Sequence, residues 1–286
     1  MSPASRTRAW LLSLLRIGAA AFVLAMIALW AGVRWLERNK LYYPSREISV
    51  IPRTLGMPFE DVSLVTADRM RLHGWFIPAP LQGPLASEGL AILLCHGNAG
   101  NISNRVQKAA LLHQLGLSVL LFDYRGFGKS EGTPSEPGTY LDADAAYAYL
   151  TQTRKIPAER IVIHGESIGN GVAIEAALRH PSRALIVESA FTSIAGMGKS
   201  VVPWLPLQWF VTWRYDNLAK LPKVGRPILV MHSRDDEVIP FAMGQALFAA
   251  ACEPKRFLEL KGSHNDGFAE SGAAYPEAIL SFLKTD

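Results

Sequence analysis

"HGESIGNG", residues 164–171, follows the apolar run "RIVI" (160–163) and leads into "VAIEAALRH" (172–180). A short buried strand, small residues around one serine, then an amphipathic helix make the pattern of a sharp strand-to-helix turn. Gly165-Glu166-Ser167-Ile168-Gly169 matches G-x-S-x-G. That turn holds its serine in a strained backbone conformation, and only small residues two before and two after it avoid a clash. The helix N-terminus behind it offers free N–H groups to a developing negative charge. The competing reading is a glycine-rich loop that merely closes a buried strand. The surrounding chain decides between them.

Outward from this turn the pattern alternates. "LAILLCHG" (90–97), "LSVLLFDYRG" (117–126), "RIVIHG" (160–165), "ALIVES" (184–189), "PILVMHS" (227–233) and "RFLELKG" (256–262) read as strands. "NRVQKAALLHQLG" (104–116), "PGTYLDADAAYAYLTQT" (137–153), "FAMGQALFAAAC" (241–252) and most of "GAAYPEAILSFLKT" (272–285) read as helices. Ahead of them, "EDVSLVTAD" and "MRLHGWFIP" form a hairpin pattern around Asp68-Arg69. Continuous apolar strands alternating with amphipathic helices predict an α/β fold, a largely parallel sheet covered on both faces. Residues 190–221 break the alternation. They contain "VVPWLPLQWFVTWRY" (201–215), too short and too proline-rich to span a bilayer. The segment is expected to form a cap over the strand ends, lining an apolar site and dipping toward a bilayer. The alternative is ordinary packing on the sheet edge.

The N-terminus differs from the rest. Residues 17–33 are seventeen positions without a charge, and residues 9–15 extend the run past Arg16. A transmembrane helix needs about twenty apolar residues. Arg16 can snorkel to the headgroups, and Trp10, Trp30 and Trp35 lie near the ends where interfacial aromatics belong. A cleaved signal peptide would have a shorter apolar core and a small-x-small site, and "ALWAG" is a poor one. Residues 1–40 are therefore read as an uncleaved membrane anchor and connector, and residues 41–286 as the folded domain. Orientation is not legible, because Arg6, Arg8 and Arg16 balance Arg34, Arg38 and Lys40. "NKLYYPSREISVIP" (39–52) reads as a polar-aromatic connector.

Composition narrows the function. The chain has 286 residues, of which 49% are apolar and 19% charged, with a formal charge of +4 and no basic block, so nucleic-acid binding has no support. Two cysteines, Cys95 and Cys252, make neither a disulfide framework nor a zinc site. No metal or cofactor is expected. "GFGKS" (126–130) ends like a phosphate-binding loop, but the first glycine of that motif would fall on Asp123, and no helix follows directly.

In a parallel sheet, function sits beyond the carboxyl ends of the strands. A serine nucleophile needs a base, and the base an orienting acid. His96, His164 and His232 end strands and read as structural. His73 lies in a strand, and His113 and His180 near helix ends. His264 in "KGSHND" (261–266) is left. The acid should follow the preceding strand, where "HSRDDEVIP" (232–240) offers Asp235, Asp236 and Glu237.

With these stretches the chain resembles the α/β-hydrolase superfamily. "HGNAGN" (96–101) resembles its oxyanion-hole turn, "DYRGFGKSEG" (123–132) the loop after the next strand, "GESIG" (165–169) the nucleophile elbow, and "GSHND" (262–266) the histidine loop. "HSRDDEVIP" resembles an acid loop written H-G-x-x-D-x-x-V-P, which puts the acid on Asp236. Ser233, where glycine is usual, keeps Asp235 as a lesser alternative. "LYYPSR" (41–46) after an anchor and "RYDNLAKLP" (214–222) are most similar to the Bem46-like membrane-anchored serine hydrolases. The resemblance implies the α/β-hydrolase fold, with a mostly parallel eight-stranded sheet, helices on both faces and a short cap, preceded by one N-terminal transmembrane helix. It also implies hydrolysis of acyl thioesters or lysophospholipid-type esters through Ser167, His264 and Asp236. Gly165 and Gly169 would shape the elbow. The N–H groups of Ile168 and Asn98, or else Ala99, would receive the oxyanion. Expected partners are a small-molecule or lipid acyl substrate or an acylated protein, and the bilayer. The alternatives are a membrane-tethered binding protein of the same fold, without catalysis, and a serine peptidase.

Overall fold

The computed structural model describes residues 3–284, with side chains from Trp10 onward, so Arg6 and Arg8 precede the first described side chain. Helix α1 (Pro3–Lys40) carries the apolar run, and its stretch Trp10–Lys40 is long and apolar enough to cross a membrane. A two-residue strand, β1 (Tyr43–Pro44), comes next, then the hairpin β2 (Glu60–Val65) and β3 (Arg71–Ile77). The hairpin turns through Arg69, whose φ is +66°. The alternating part begins with β4 (Ala91–Cys95), the short β5 (Ala99–Gly100), α2 (Val106–Gln114), β6 (Ser118–Phe122) and α3 (Glu136–Ala148). It continues with β7 (Ile161–Glu166), α4 (Gly169–Arg179), β8 (Ala184–Glu188), α5 (Ile194–Val201) and α6 (Asn217–Lys220). The chain ends with β9 (Ile228–Ser233), α7 (Phe241–Ala250), β10 (Lys255–Leu260), α8 (Gly267–Glu270) and α9 (Ala274–Leu283).

Eight strands form the main sheet in the order β2-β3-β6-β4-β7-β8-β9-β10. Neighbours run parallel except where β3 meets β2 and β6. Every residue of β4 and β8 is buried, as is all of β7 up to Gly165. Such strands need cover on both faces, and they have it. Tyr140 of α3, Val172 of α4 and Leu247 of α7 pack on one face with Leu93, Ile163 and Val187. Val106 and Leu112 of α2 and Ile279 of α9 pack on the other with Ile92, Val162 and Ile186. Each such aliphatic side chain contributes roughly 1.5–3 kcal/mol by leaving water. The starts of α3 and α5 are capped: Ser135 Oγ accepts the Gly138 N–H at 3.1 Å and Ser193 Oγ the Gly196 N–H at 2.9 Å.

Residues 39–52 are more than the connector expected. β1 pairs with β5 in a separate small parallel sheet. The Tyr43 N–H donates to the Asn98 carbonyl at 2.8 Å, and Asn98 Nδ2 donates to the Leu41 carbonyl at 3.2 Å. Unpaired backbone groups on both segments satisfy each other, which is why a polar-aromatic stretch lies flat against the loop after β4.

The segment between β8 and β9 sorts its tryptophans. Trp213 is buried, with its ring 5.7 Å from that of Tyr42, whereas Trp204 and Trp209 are 78% and 77% exposed. The reason lies in four consecutive N–H groups. Those of Thr212 and Trp213 donate to Glu37 Oε1 of α1 at 2.6 and 2.8 Å. Those of Arg214 and Tyr215 donate to the Glu136 carboxylate of α3, the latter at 2.9 Å. Two buried carboxylates are thus compensated by backbone donors, and the returning chain is drawn inward. Charged hydrogen bonds contribute about 1.5–3 kcal/mol each. Glu136→Ala strands two backbone donors and the Tyr140 hydroxyl, and is expected to lower stability by roughly 3 kcal/mol or more. A thermal unfolding midpoint unchanged from that of the detergent-solubilised parent chain would contradict this.

Candidate active site

Ser167 follows the buried strand β7 and precedes α4, with φ at +54° in the left-handed region. For a non-glycine residue this conformation costs about 1–3 kcal/mol and persists only where the surroundings impose it. The imposing contacts are close. A Cβ on Gly169 would lie 2.1 Å from the Cys95 carbonyl oxygen, and one on Gly165 would lie 2.6 Å from Asn170 Cα. The small residues of G-x-S-x-G thus let α4 approach the end of β4. Asn170 locks the turn to β8: its Nδ2 donates to the carbonyls of Ser167 at 2.8 Å and Glu188 at 2.7 Å, and its Oδ1 accepts the Glu188 N–H at 3.1 Å.

Ser167 Oγ lies 3.0 Å from His264 Nε2, and His264 Nδ1 lies 2.8 Å from Asp236 Oδ2. The three loops that carry them follow β7, β9 and β10. Asp236 Oδ1 accepts the N–H groups of Val238 and Ile239 at 2.9 and 2.7 Å, which aims Oδ2 at the imidazole. Burial alone would raise the Asp236 pKa. Hydrogen bonds from His232, His264 and the Ile239 N–H outweigh it and hold the carboxyl well below the usual carboxylate range. Asp235 is exposed, while the neighbouring Asp236 makes the contact to His264. Ser233, the departure from the acid-loop pattern, has work of its own. Its Oγ donates to the Gly262 carbonyl at 2.5 Å and accepts the Asp235 N–H at 3.1 Å, tying the acid loop to the histidine loop. Glu237, another of the acid candidates, accepts the His264 N–H at 3.0 Å.

The other strand-end histidines have partners of their own, and His232 also backs Asp236, its Nε2 3.4 Å from Oδ2. His164 Nε2 meets Glu188 Oε2 at 2.9 Å, and His232 Nε2 lies 3.0 Å from the Ile239 carbonyl. His96 is fully buried against Tyr124 and Phe127, and burial lowers its pKa to about 4.

Ser167, Ile168 and Asn98 border one cavity of about 390 Å³. The Ser167 N–H is already committed to the Glu188 carbonyl at 3.0 Å, so it is not free to receive an oxyanion. Ile168 stands at the N-terminus of α4, where peptide dipoles favour negative charge. The walls are mostly apolar: Phe191, Ile194, Met197 and Leu207 from the segment after β8, Ile239 from the acid loop, and Val33 and Leu36 from α1.

A charge cluster beneath the elbow was invisible in the sequence pattern. Lys108 Nζ of α2 donates to Glu166 Oε2 at 2.7 Å and Glu188 Oε1 at 2.8 Å. Arg105 lies 3.0 Å from Glu166, and the Tyr275 hydroxyl donates to Glu188 at 2.7 Å. Burial pushes against ionisation of both glutamates, but the charges of Arg105 and Lys108 beside Glu166, and of Lys108 beside Glu188, lower their pKa values on balance. Glu166 sits next to Ser167 in the chain, so the cluster anchors the serine turn from below. Its stability contribution follows from these directions. It is present above the ordinary glutamate pKa of about 4.3 and is lost as pH falls toward the lower folded-state values. Lys108→Met leaves two carboxylates facing each other in the interior and should destabilise the chain by about 3–5 kcal/mol at neutral pH. The loss should shrink as pH falls from neutral through about 4.3, because the uncompensated carboxylates of the variant take up protons while those of the parent stay ionised. Denaturant midpoints measured across this range test both statements; a loss independent of pH would contradict the ionic account.

Comparisons with known proteins agree with this architecture. A family model described as serine aminopeptidase, S33, matches residues 87–220. An uncharacterized protein of Mycobacterium tuberculosis is 40% identical over 248 residues, covering 86% of this chain and 87% of its own. Protein bem46 of Schizosaccharomyces pombe is 32% identical, over 93% of this chain and 91% of its own. Among solved structures, an esterase of Pyrococcus furiosus superposes with a TM-score of 0.69 at 19% identity, covering 86% of this chain and 97% of that one, a likeness of fold. The sheet order, the serine turn after β7 and these similarities together place the chain: it belongs to the Bem46-like proteins of the α/β-hydrolase superfamily.

Proposed function

We propose that the chain is a membrane-anchored serine hydrolase that cleaves a carboxylic ester or thioester of an acyl or lipid-type substrate through an acyl-enzyme. One observation carries this: the hydrogen-bonded series Ser167–His264–Asp236 opens into an apolar cavity at a helix N-terminus. Ser167 Oγ attacks the carbonyl carbon while His264 Nε2 takes its proton. The tetrahedral oxyanion is received by the N–H groups of Ile168 and Asn98, each such donor being worth about 2.7–4 kcal/mol in the transition state. Collapse breaks the bond to the alcohol or thiol, which leaves with the proton from His264. Water then attacks the acyl-serine, His264 takes and returns a proton, and the carboxylic acid is released. Asp236 stays ionised throughout and stabilises the imidazolium.

The peptidase alternative is less well supported. An aminopeptidase has to hold a free α-ammonium group with an available anion. The carboxylate among the described cavity residues is Glu37, and its oxygens already accept two backbone N–H groups and Arg34 Nη1.

A fluorophosphonate probe should label the parent chain and not Ser167→Ala; labelling that survives the change sinks the nucleophile assignment. Short-chain aryl ester hydrolysis should fall by roughly four to six orders of magnitude in kcat in His264→Ala. A rate within tenfold of the parent would remove His264 from the mechanism.

The helix α1 is proposed as a single-pass anchor. Alkaline carbonate extraction should leave the chain in the membrane pellet, and its recovery in the supernatant would refute the anchor.

A further inference from the structure

The anchor helix does more than tether. Val33, Leu36, Glu37 and Lys40 all border the cavity that holds Ser167. Their spacing of three, four and seven residues puts them on one face of the helix. Val33 and Glu37 are buried by the domain, and Glu37 is fastened to the backbone of Thr212 and Trp213. This end of α1 is therefore a fixed wall of the cavity rather than a flexible leash.

The position of that wall along the helix is informative. Residues 10–32 rise about 34 Å at 1.5 Å per residue, close to the roughly 30 Å hydrocarbon thickness of a bilayer. Docking to the domain begins at Val33, one residue past that span. Trp10 and Trp30, near its two ends, are 63% and 52% exposed, as interfacial belt residues would be before lipid covers them. The cavity mouth then stands at the boundary between headgroups and acyl chains. The opposite wall supports the same placement. Met197 and Leu207 of the cap line the cavity, while Val201, Trp204 and Trp209 of the same cap are more than three-quarters exposed. Val201 borders the same cavity as Val33 and Leu36, so the bare apolar side chains of the cap begin next to the end of α1, and the partner that fits them is the lipid interface.

We infer that a bilayer-resident single-chain acyl lipid enters the cavity sideways from the membrane, between the end of α1 and the cap, with its acyl chain sliding along the Val33–Leu36 face to Ser167. This rests on the proposed anchor and on Ser167 as the reacting group. The lipid does not cross water on this route. The apolar chain moves from hydrocarbon to an apolar wall, while its polar head stays at the level of Lys40.

The test uses the full chain carrying Ser167→Ala, so that it does not depend on turnover. The chain is reconstituted in phosphatidylcholine vesicles containing a lysophosphatidylcholine with a diazirine midway along its acyl chain, photolysed and digested, and the adducts are located by mass spectrometry. Adducts are expected both on residues 10–32, from the surrounding bilayer, and on Val33, Phe191, Ile194, Met197 and Leu207, from the cavity walls. Leu36→Trp, which narrows the passage, should reduce the second set at least fivefold and leave the first unchanged. Adducts confined to residues 10–32, cavity adducts insensitive to Leu36→Trp, or no adducts on residues 10–32 would each overturn the inference. The hydrolase proposal fails separately, through an unlabelled fluorophosphonate reaction in the parent chain.

Discussion

The approach of α4 to the end of β4 is the contact on which the rest of the site depends. Gly169 lies where any side chain would strike the Cys95 carbonyl. Because it can sit there, the helix begins directly above the sheet, and Ser167, in the turn two residues before the helix, is held in left-handed backbone. Ser167 is thereby lifted clear of the strand and presented to the loops that follow β9 and β10. A strained conformation of this kind needs support on every side. It receives that support from Asn170 bridging to β8 and from the Lys108–Glu166–Glu188 cluster below.

Buried charge recurs as the means by which distant segments are held. The elbow rests on two cations and two carboxylates that neutralise one another. The cap returns to the domain over Glu37 and Glu136, which take four successive N–H groups. The acid loop closes through Asp236, which takes two more. In the first two cases a carboxylate that would be expensive to bury alone is stabilised by donors from a different part of the chain, and Asp236 by donors of its own loop. Breaking one partner therefore leaves an uncompensated charge, so these positions tolerate change poorly even where no substrate reaches them.

The strands were legible because continuous apolar runs such as "AILLC" and "RIVIH" have one stable environment, the middle of a covered parallel sheet. Ser167, Asp236 and His264 were legible because each directly follows such a run, and the structure brings their side chains within hydrogen-bond distance. The rest lacked a local signal. Lys108 on an amphipathic helix looks like any solvent-facing lysine, and only the folded chain sets it between glutamates 58 and 80 residues away. Trp204, Trp209 and Trp213 share a composition and differ only in which backbone neighbours a carboxylate holds inward. Glu37, at the end of an apolar helix, reads as a flanking charge until the cap backbone is seen to bind it.

The two-residue pairing of Tyr43–Pro44 with Ala99–Gly100 alters what a proteolytic clip after residue 40 would do. The fragment left behind would keep its main sheet and the residues Ser167, His264 and Asp236. It would lose the helix that braces one end of this pairing, and a carboxylate that holds the cap. The loop carrying Asn98 would then be steadied by a chain end instead of a strand backed by a long helix. Loss of the helix and slackening of the loop that carries Asn98 would be a single event, because the two are joined through the same short pairing.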